Sequence, residues 1–313
     1  MKRSQELPHG ISKVIPFFVP LLLALSLTLP SAPASAADGP PAPSRILIGL
    51  IPEMNVFQQM QRFKLLAEYI KEETGIEVHL TILSRYGNII DKFESIGMDG
   101  AFFGSFTGAM AIEKLGVIPL VRPVNLDGES TYYGIIFTRA DSGISTVADM
   151  RGKRFAFVEK ATTAGYVFPM AVLRENSVSD MDTFFSETYF AGSHDATVLE
   201  VFNRQADVGA AKNTIYYRVL ENRPNIADAL RILYTSEKVP SNGLCLRPDI
   251  DPAVREKLKR TLLDIDKNDR GREALKTYGA LRFVETTVKD YLPVMRFAQK
   301  AGISIKDYEY VNE

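Results

Sequence analysis

The stretch VEKATTAGYVFP, residues 158–169, places five small or hydroxylated residues (161–165) between an apolar run, RFAFV, and a run of helical character, YVFPMAVLRE. A strand that passes through a short loop into a helix presents the helix's first N–H groups at the loop, without partners inside the helix. The positive end of the helix dipole lies behind them, so such a start takes up anions readily. Thr162 and Thr163 add hydroxyls, and Ala164 and Gly165 let a ligand approach the backbone. The plainer reading is a threonine cap that satisfies its own helix. The same grammar returns in AGSHDATVLEV, residues 191–201: an apolar run, a glycine, a hydroxyl, then a helix, with His194 in its first turn. Asp195 either complements the dipole there or accepts a proton from a protonated ligand oxygen. Ser193, His194 and Asp195 do not form a catalytic triad, because consecutive residues at a helix start point in different directions and a triad must converge through space. Two such starts in one half of the chain shift the balance from capping towards a ligand.

Working outward, short apolar runs alternate with helical ones. Residues 45–51 (RILIGLI) read as a buried strand, 58–74 as a helix stopped by Gly75, and 76–83 as an alternating strand. Helices at 86–97 and 106–115 flank a strand in MDGAFFG, and a strand follows in VIPLVRPV. This order predicts a mainly parallel α/β sheet. The pattern then restarts. Residues 129–139 form one long strand, after which strands at 154–158, 184–189, 206–211 and 230–236 alternate with helices. From residue 251 onward the chain reads as mostly helical. Two sheet systems joined near Tyr133 and again near Pro240 make two α/β lobes with two crossovers and a ligand cleft between them, closing by hinge motion. Tyr86 at a helix start, Ser105 in FFGSF and the pair Tyr132-Tyr133 in the crossover are cleft candidates, though each also suits plain packing.

The first 36 residues have a basic start, an apolar stretch and the small residues SAPASAA, the layout of a cleaved secretory signal peptide; 37–44 read as a flexible lead-in. With 37 basic against 38 acidic residues, no basic stripe suggests nucleic acid. Cys245 is the only cysteine, so no internal disulfide forms, and neither Cys nor His spacing suits a metal. No cofactor and no plausible nucleophile–base pair is read in the chain, which argues against an enzyme.

These residues together resemble the phosphate, phosphite and phosphonate substrate-binding proteins of ATP-driven importers. The resemblance is carried by YYGIIFTRADSGI (132–144), VEKATTAGY (158–166), GSHDA (192–196) and DVGAAKNT (207–214), and runs from about residue 46 to the C-terminal helices. It implies the two-lobe, type II periplasmic binding fold, with 45–133 plus 240–313 as lobe 1 and 134–239 as lobe 2, and no catalytic activity. It also implies a monomer in the periplasm that passes a small oxyanion to a membrane permease. Thr162, Thr163, the Ala164 N–H and His194 would hold the oxyanion, with Tyr86, Tyr132 and Tyr133 closing over it. Two departures matter. The family's Ser-Thr-Ser is Thr-Thr-Ala here, and the places where relatives put acids to meet a ligand ammonium fall at Asn213 and Asn242. A buried ammonium without a counter-charge is costly, so phosphate, phosphite or methylphosphonate is expected rather than an amine. His194 titrates close enough to neutrality for binding to depend on pH. The alternative use of such a protein is to present its ligand to a sensor kinase or chemoreceptor.

Overall fold

The computed structural model describes residues 45–310, so the expected signal peptide and lead-in lie outside the described residues. Thirteen strands form two sheets and a ribbon within these residues. The strands are β1 (Arg45–Leu50), β2 (Glu77–Ile82), β3 (Gly100–Phe103), β4 (Ile118–Asn125), β5 (Thr131–Tyr132), β6 (Gly134–Arg139), β7 (Arg154–Phe157), β8 (Glu187–Phe190), β9 (Val208–Lys212), β10 (Leu230–Thr235), β11 (Val239–Pro240), β12 (Gly243–Leu246) and β13 (Ala280–Glu285). The first sheet has the order β13-β4-β12-β3-β1-β2 and the second β10-β6-β9-β7-β8. The two crossovers pair with each other: β5 and β11 form an antiparallel ribbon with Val239 opposite Tyr132.

The strands read by alternation with helices run one way in each sheet, through the parallel pairs β1·β2, β1·β3, β7·β8 and β7·β9. The expectation of a mainly parallel sheet needs a correction, because β12 inserts antiparallel between β3 and β4, and β6 lies antiparallel to both β9 and β10. Each is the first long strand after a crossover, and it enters its sheet from the opposite end. The reading of 129–139 as a single strand also fails. Tyr133 interrupts it, its N–H donating to Asn213 Oδ1 at 3.0 Å and its carbonyl accepting from the Asn213 N–H at 3.0 Å. The mostly helical reading of the C-terminal region also needs a correction: the first sheet gains a sixth strand there, β13, which begins directly after Gly279 ends a helix with φ 85° and pairs antiparallel with β4.

The helix Val56–Thr74 starts at Asn55, whose side chain accepts from the N–H groups of Phe57 and Gln58, and stops at Gly75 with φ 73°. Phe63, Leu66 and Ile70 face the sheet and are buried with Ile46, Ile48 and Phe102; burying each side chain of this kind stabilises by about 1.5–3 kcal/mol. The helix Leu292–Lys300 packs on Ser105–Leu115, which follows the first sheet's β3, and on Phe168–Glu175, which follows the second sheet's β7. Cys245 lies buried in β12, 3.8 Å from the Tyr291 hydroxyl, and burial pushes its thiol up to about 12. No helix among the described residues is long and apolar enough to cross a membrane.

Candidate functional site

Three helical runs start at one small cavity between the sheets. Ser105 opens the helix Ser105–Leu115 after β3. Thr163 opens a π-helical turn, Thr163–Val167, that continues into the helix Phe168–Glu175. His194 opens the helix His194–Phe202 after β8. The π turn needs Gly165, since a Cβ there would collide with Val158 and lie 2.8 Å from Thr162 Oγ1. The cavity is lined by Glu53, Tyr86, Ser105, Tyr132, Thr162, Thr163, His194, Lys212 and Asn242, among others.

Apart from the Lys212 ammonium, its donors are neutral and buried. Ser105 Oγ lies 2.6 Å from both Tyr132 OH and Thr163 Oγ1, a hydroxyl chain that joins the two sheet systems and the crossover. Burial pushes the Tyr132 hydroxyl up to about 12 and the Tyr86 hydroxyl well above its ordinary value, so both stay protonated. The Tyr86 hydroxyl is buried and has no hydrogen-bond partner. His194 Nδ1 accepts from the Lys212 backbone N–H at 3.1 Å. Because a backbone N–H can only donate, the neutral ring must carry its proton on Nε2. Burial, partly opposed by the Glu53 carboxylate and reinforced by the Lys212 charge, pulls His194 down to about 3. The expectation of a pH response near neutrality through a charged His194 is therefore corrected. The ring is neutral, a fixed donor, and it stands edge-on to Tyr86 at 6.0 Å between centroids.

The remaining sequence candidates divide. Thr162 lines the cavity, but its hydroxyl donates to the Glu159 carbonyl at 2.7 Å. Ala164 is buried in the turn, with its Cα against Gly134. Tyr133, Ala164, Asp195 and Asn213 do not line the cavity. Tyr133 packs behind the second sheet, Asp195 accepts from the Ser193 hydroxyl at 2.5 Å, and the Asn213 side chain is committed to Tyr133. Asn242 does line it. Two residues were missed. Glu53 follows β1 in a loop held by Gln59, which accepts from the Glu53 N–H at 3.0 Å and donates to the Ile51 carbonyl. Lys212 ends β9. Its ammonium donates to Glu53 Oε1 at 2.9 Å and Asn242 Oδ1 at 3.0 Å and lies 4.4 Å over the Tyr132 ring. Burial alone would raise the Glu53 carboxyl, but Lys212, with Arg62 behind it, holds it at about 2. The available signal was position: each charge sits at the carboxyl end of a buried strand, where open α/β sheets place their ligand sites. No cluster of three or more potential metal ligands occurs among the described residues.

Two sheets linked by paired crossovers around a polar cavity define a two-lobed ligand-binding protein. Residues 48–291 match the family described as ABC transporter, phosphonate, periplasmic substrate-binding protein, and the chain belongs to that family. It is 25% identical over 261 residues to the phosphate-import protein PhnD of Mycolicibacterium smegmatis, covering 78% of this chain and 81% of that one. A binding protein component of an ABC phosphonate transporter from Pseudomonas aeruginosa superposes with a TM-score of 0.76 at 21% identity, covering 83% of this chain and 87% of that chain. PhnD1 of Prochlorococcus marinus in complex with methylphosphonate gives 0.73 at 20% identity, covering 83% and 99%. These likenesses show the type II periplasmic binding fold.

Proposed function

We propose that the cavity captures a small phosphorus oxyanion (phosphate, phosphite or a simple phosphonate) in the periplasm and that the closed protein delivers it to the permease of an ATP-driven importer. The observation that carries this reading is the buried, unpartnered hydroxyl of Tyr86, a residue that lines the same cavity as His194 and three helix starts. Donors of this kind match an ion with several acceptor oxygens. Family membership supports the same cargo class and the permease as partner. The residues assigned to the oxyanion are Tyr86, Ser105, Tyr132, Thr163 and His194, with the N–H groups at Thr163 and Ala164. The protein works as an exported monomer and catalyses no reaction; the basic and apolar N-terminal pattern supports export. Charge-assisted hydrogen bonds contribute about 1.5–3 kcal/mol each, so four or five of them, less the entropy of association, are compatible with micromolar or tighter binding.

The test is calorimetric titration of protein freed of carried-over ligand by unfolding and refolding, with phosphate, phosphite, methylphosphonate and sulfate, alongside His194→Ala. Tight binding of one phosphorus oxyanion, lost in the variant, is the expected result. Binding that survives His194→Ala unchanged would remove the cavity as the site.

A further inference from the structure

Glu53, Lys212 and Asn242 line not only the inner cavity but also a second, larger one of about 320 Å³, whose walls include Arg62, Asn213, Arg218 and Tyr278. They are the residues common to both linings, so the Lys212–Glu53 pair is the partition between the two spaces. The partition spans the cleft, with Glu53 after β1 of the first sheet and Lys212 at the end of β9 of the second. Its ammonium has a complete set of partners: a carboxylate, an amide oxygen and an aromatic face. An ammonium carried by a ligand would find the same three partners there if the lysine did not already supply one.

We propose that Lys212 determines cargo specificity. Its stem stops the inner cavity on the side of the larger space, and its ammonium fills a cation subsite formed by Glu53, Asn242 and Tyr132. The proposal rests on the phosphorus-oxyanion reading above. It limits the cargo to oxyanions whose fourth substituent is no larger than methyl, and it shuts out aminoalkylphosphonates although a carboxylate stands ready for them.

The experiment titrates the full chain, and Lys212→Ala, Lys212→Met and the double variant Lys212→Ala with Glu53→Gln, against methyl-, ethyl- and propylphosphonate and 2-aminoethylphosphonate. For the unaltered protein, affinity should fall at least about tenfold from methyl to propyl, a difference of about 1.4 kcal/mol. In Lys212→Ala, 2-aminoethylphosphonate should gain at least about tenfold over the unaltered protein. Lys212→Met, which keeps the length but not the charge, should show no such gain, and the added Glu53→Gln should abolish it. The alkyl series on the unaltered protein needs no variant to fold and tests the stopper alone. If the unaltered protein binds propylphosphonate or 2-aminoethylphosphonate as well as methylphosphonate, the proposal is overturned and the oxyanion reading stands. A folded Lys212→Ala that keeps methylphosphonate without gaining the amine overturns the cation subsite in the same way. If the unaltered protein binds no phosphorus oxyanion at all, both readings fall together.

Discussion

The two cavities on either side of Lys212 are built in opposite ways. The inner one presents hydroxyls, a neutral imidazole and helix starts, held in register by the Tyr132–Ser105–Thr163 chain. The outer one is lined by charges of both signs, Arg62, Lys212 and Arg218 with Glu53, Asp127 and Glu221, and neither arginine lies within ion-pair distance of a carboxylate among the described residues. Burial, and then the Arg62 charge, hold the Arg218 guanidinium down to about 10. Oriented neutral donors hold an anion at short range, where water is excluded, and require no counter-ion when the anion leaves. Unpaired cations act at long range by drawing anions towards a cleft. On the proposed reading, holding falls to the inner room and any attraction by the two arginines to the outer one, with the Lys212–Glu53 pair between them.

The sharpest way to break this division is Glu53→Ala. It strands the Lys212 ammonium in the partition, and removing one partner of a buried pair costs about 3–5 kcal/mol. Since an opened cleft rehydrates the lysine, the loss falls on closure. Small-angle scattering should show an expanded protein, and ligand affinity should drop by two orders of magnitude or more. Ser105→Ala is the next largest. It leaves Tyr132 and Thr163 without their shared partner, at about 1–3 kcal/mol, visible as a lower melting temperature of the ligand-bound form.

The His194 prediction concerns sign. Its value in the folded protein, about 3, lies below the ordinary 6.5, so the unfolded chain binds the additional proton between those values. The contribution of His194 to folding stability is therefore complete above pH 6.5 and falls with pH across that window, by up to about 1.4 kcal/mol per unit. Glu53, depressed from 4.5 to about 2, adds a slope of the same sign only below pH 4.5. Melting curves of the protein and His194→Gln from pH 7.5 to 5 should converge as pH falls. A histidine that bound its anion as a cation would give the reverse trend. The smallest effect belongs to the outer room. Arg218→Met should not destabilise the protein, because burial already disfavours the guanidinium's charge, while slowing ligand association at low salt and not at high salt, as stopped-flow traces would show.

The parts of this site that were legible in the sequence are those whose function is local. A loop of Thr, Ala and Gly before a helix states its own chemistry, and so does GSHDA. What escaped depends on distance or on direction. Glu53 and Lys212 lie 159 residues apart, and a charge ending an apolar run looks like a strand reaching solvent. Tyr132 and Tyr133 were taken together, yet neighbours in extended chain point to opposite faces, so only Tyr132 reaches the cavity. Asp195 was carried along with His194, although one step along a helix turns a side chain well away from its neighbour. The fold was more readable than the site because its alternation repeats many times, while the strands that oppose that alternation, β12 and β6, are set by the crossovers and leave no mark in periodicity.

The setting of Cys245 has a practical consequence. A lone thiol sealed in β12 and held protonated far above neutral pH leaves the surface chemically blank to maleimides. Cysteines introduced on the two lobes would be the only sites to take a dye pair, with no native residue to remove first. The closing of the cleft could then be followed as a change in energy transfer, which makes this chain a convenient frame for an optical sensor of its own cargo.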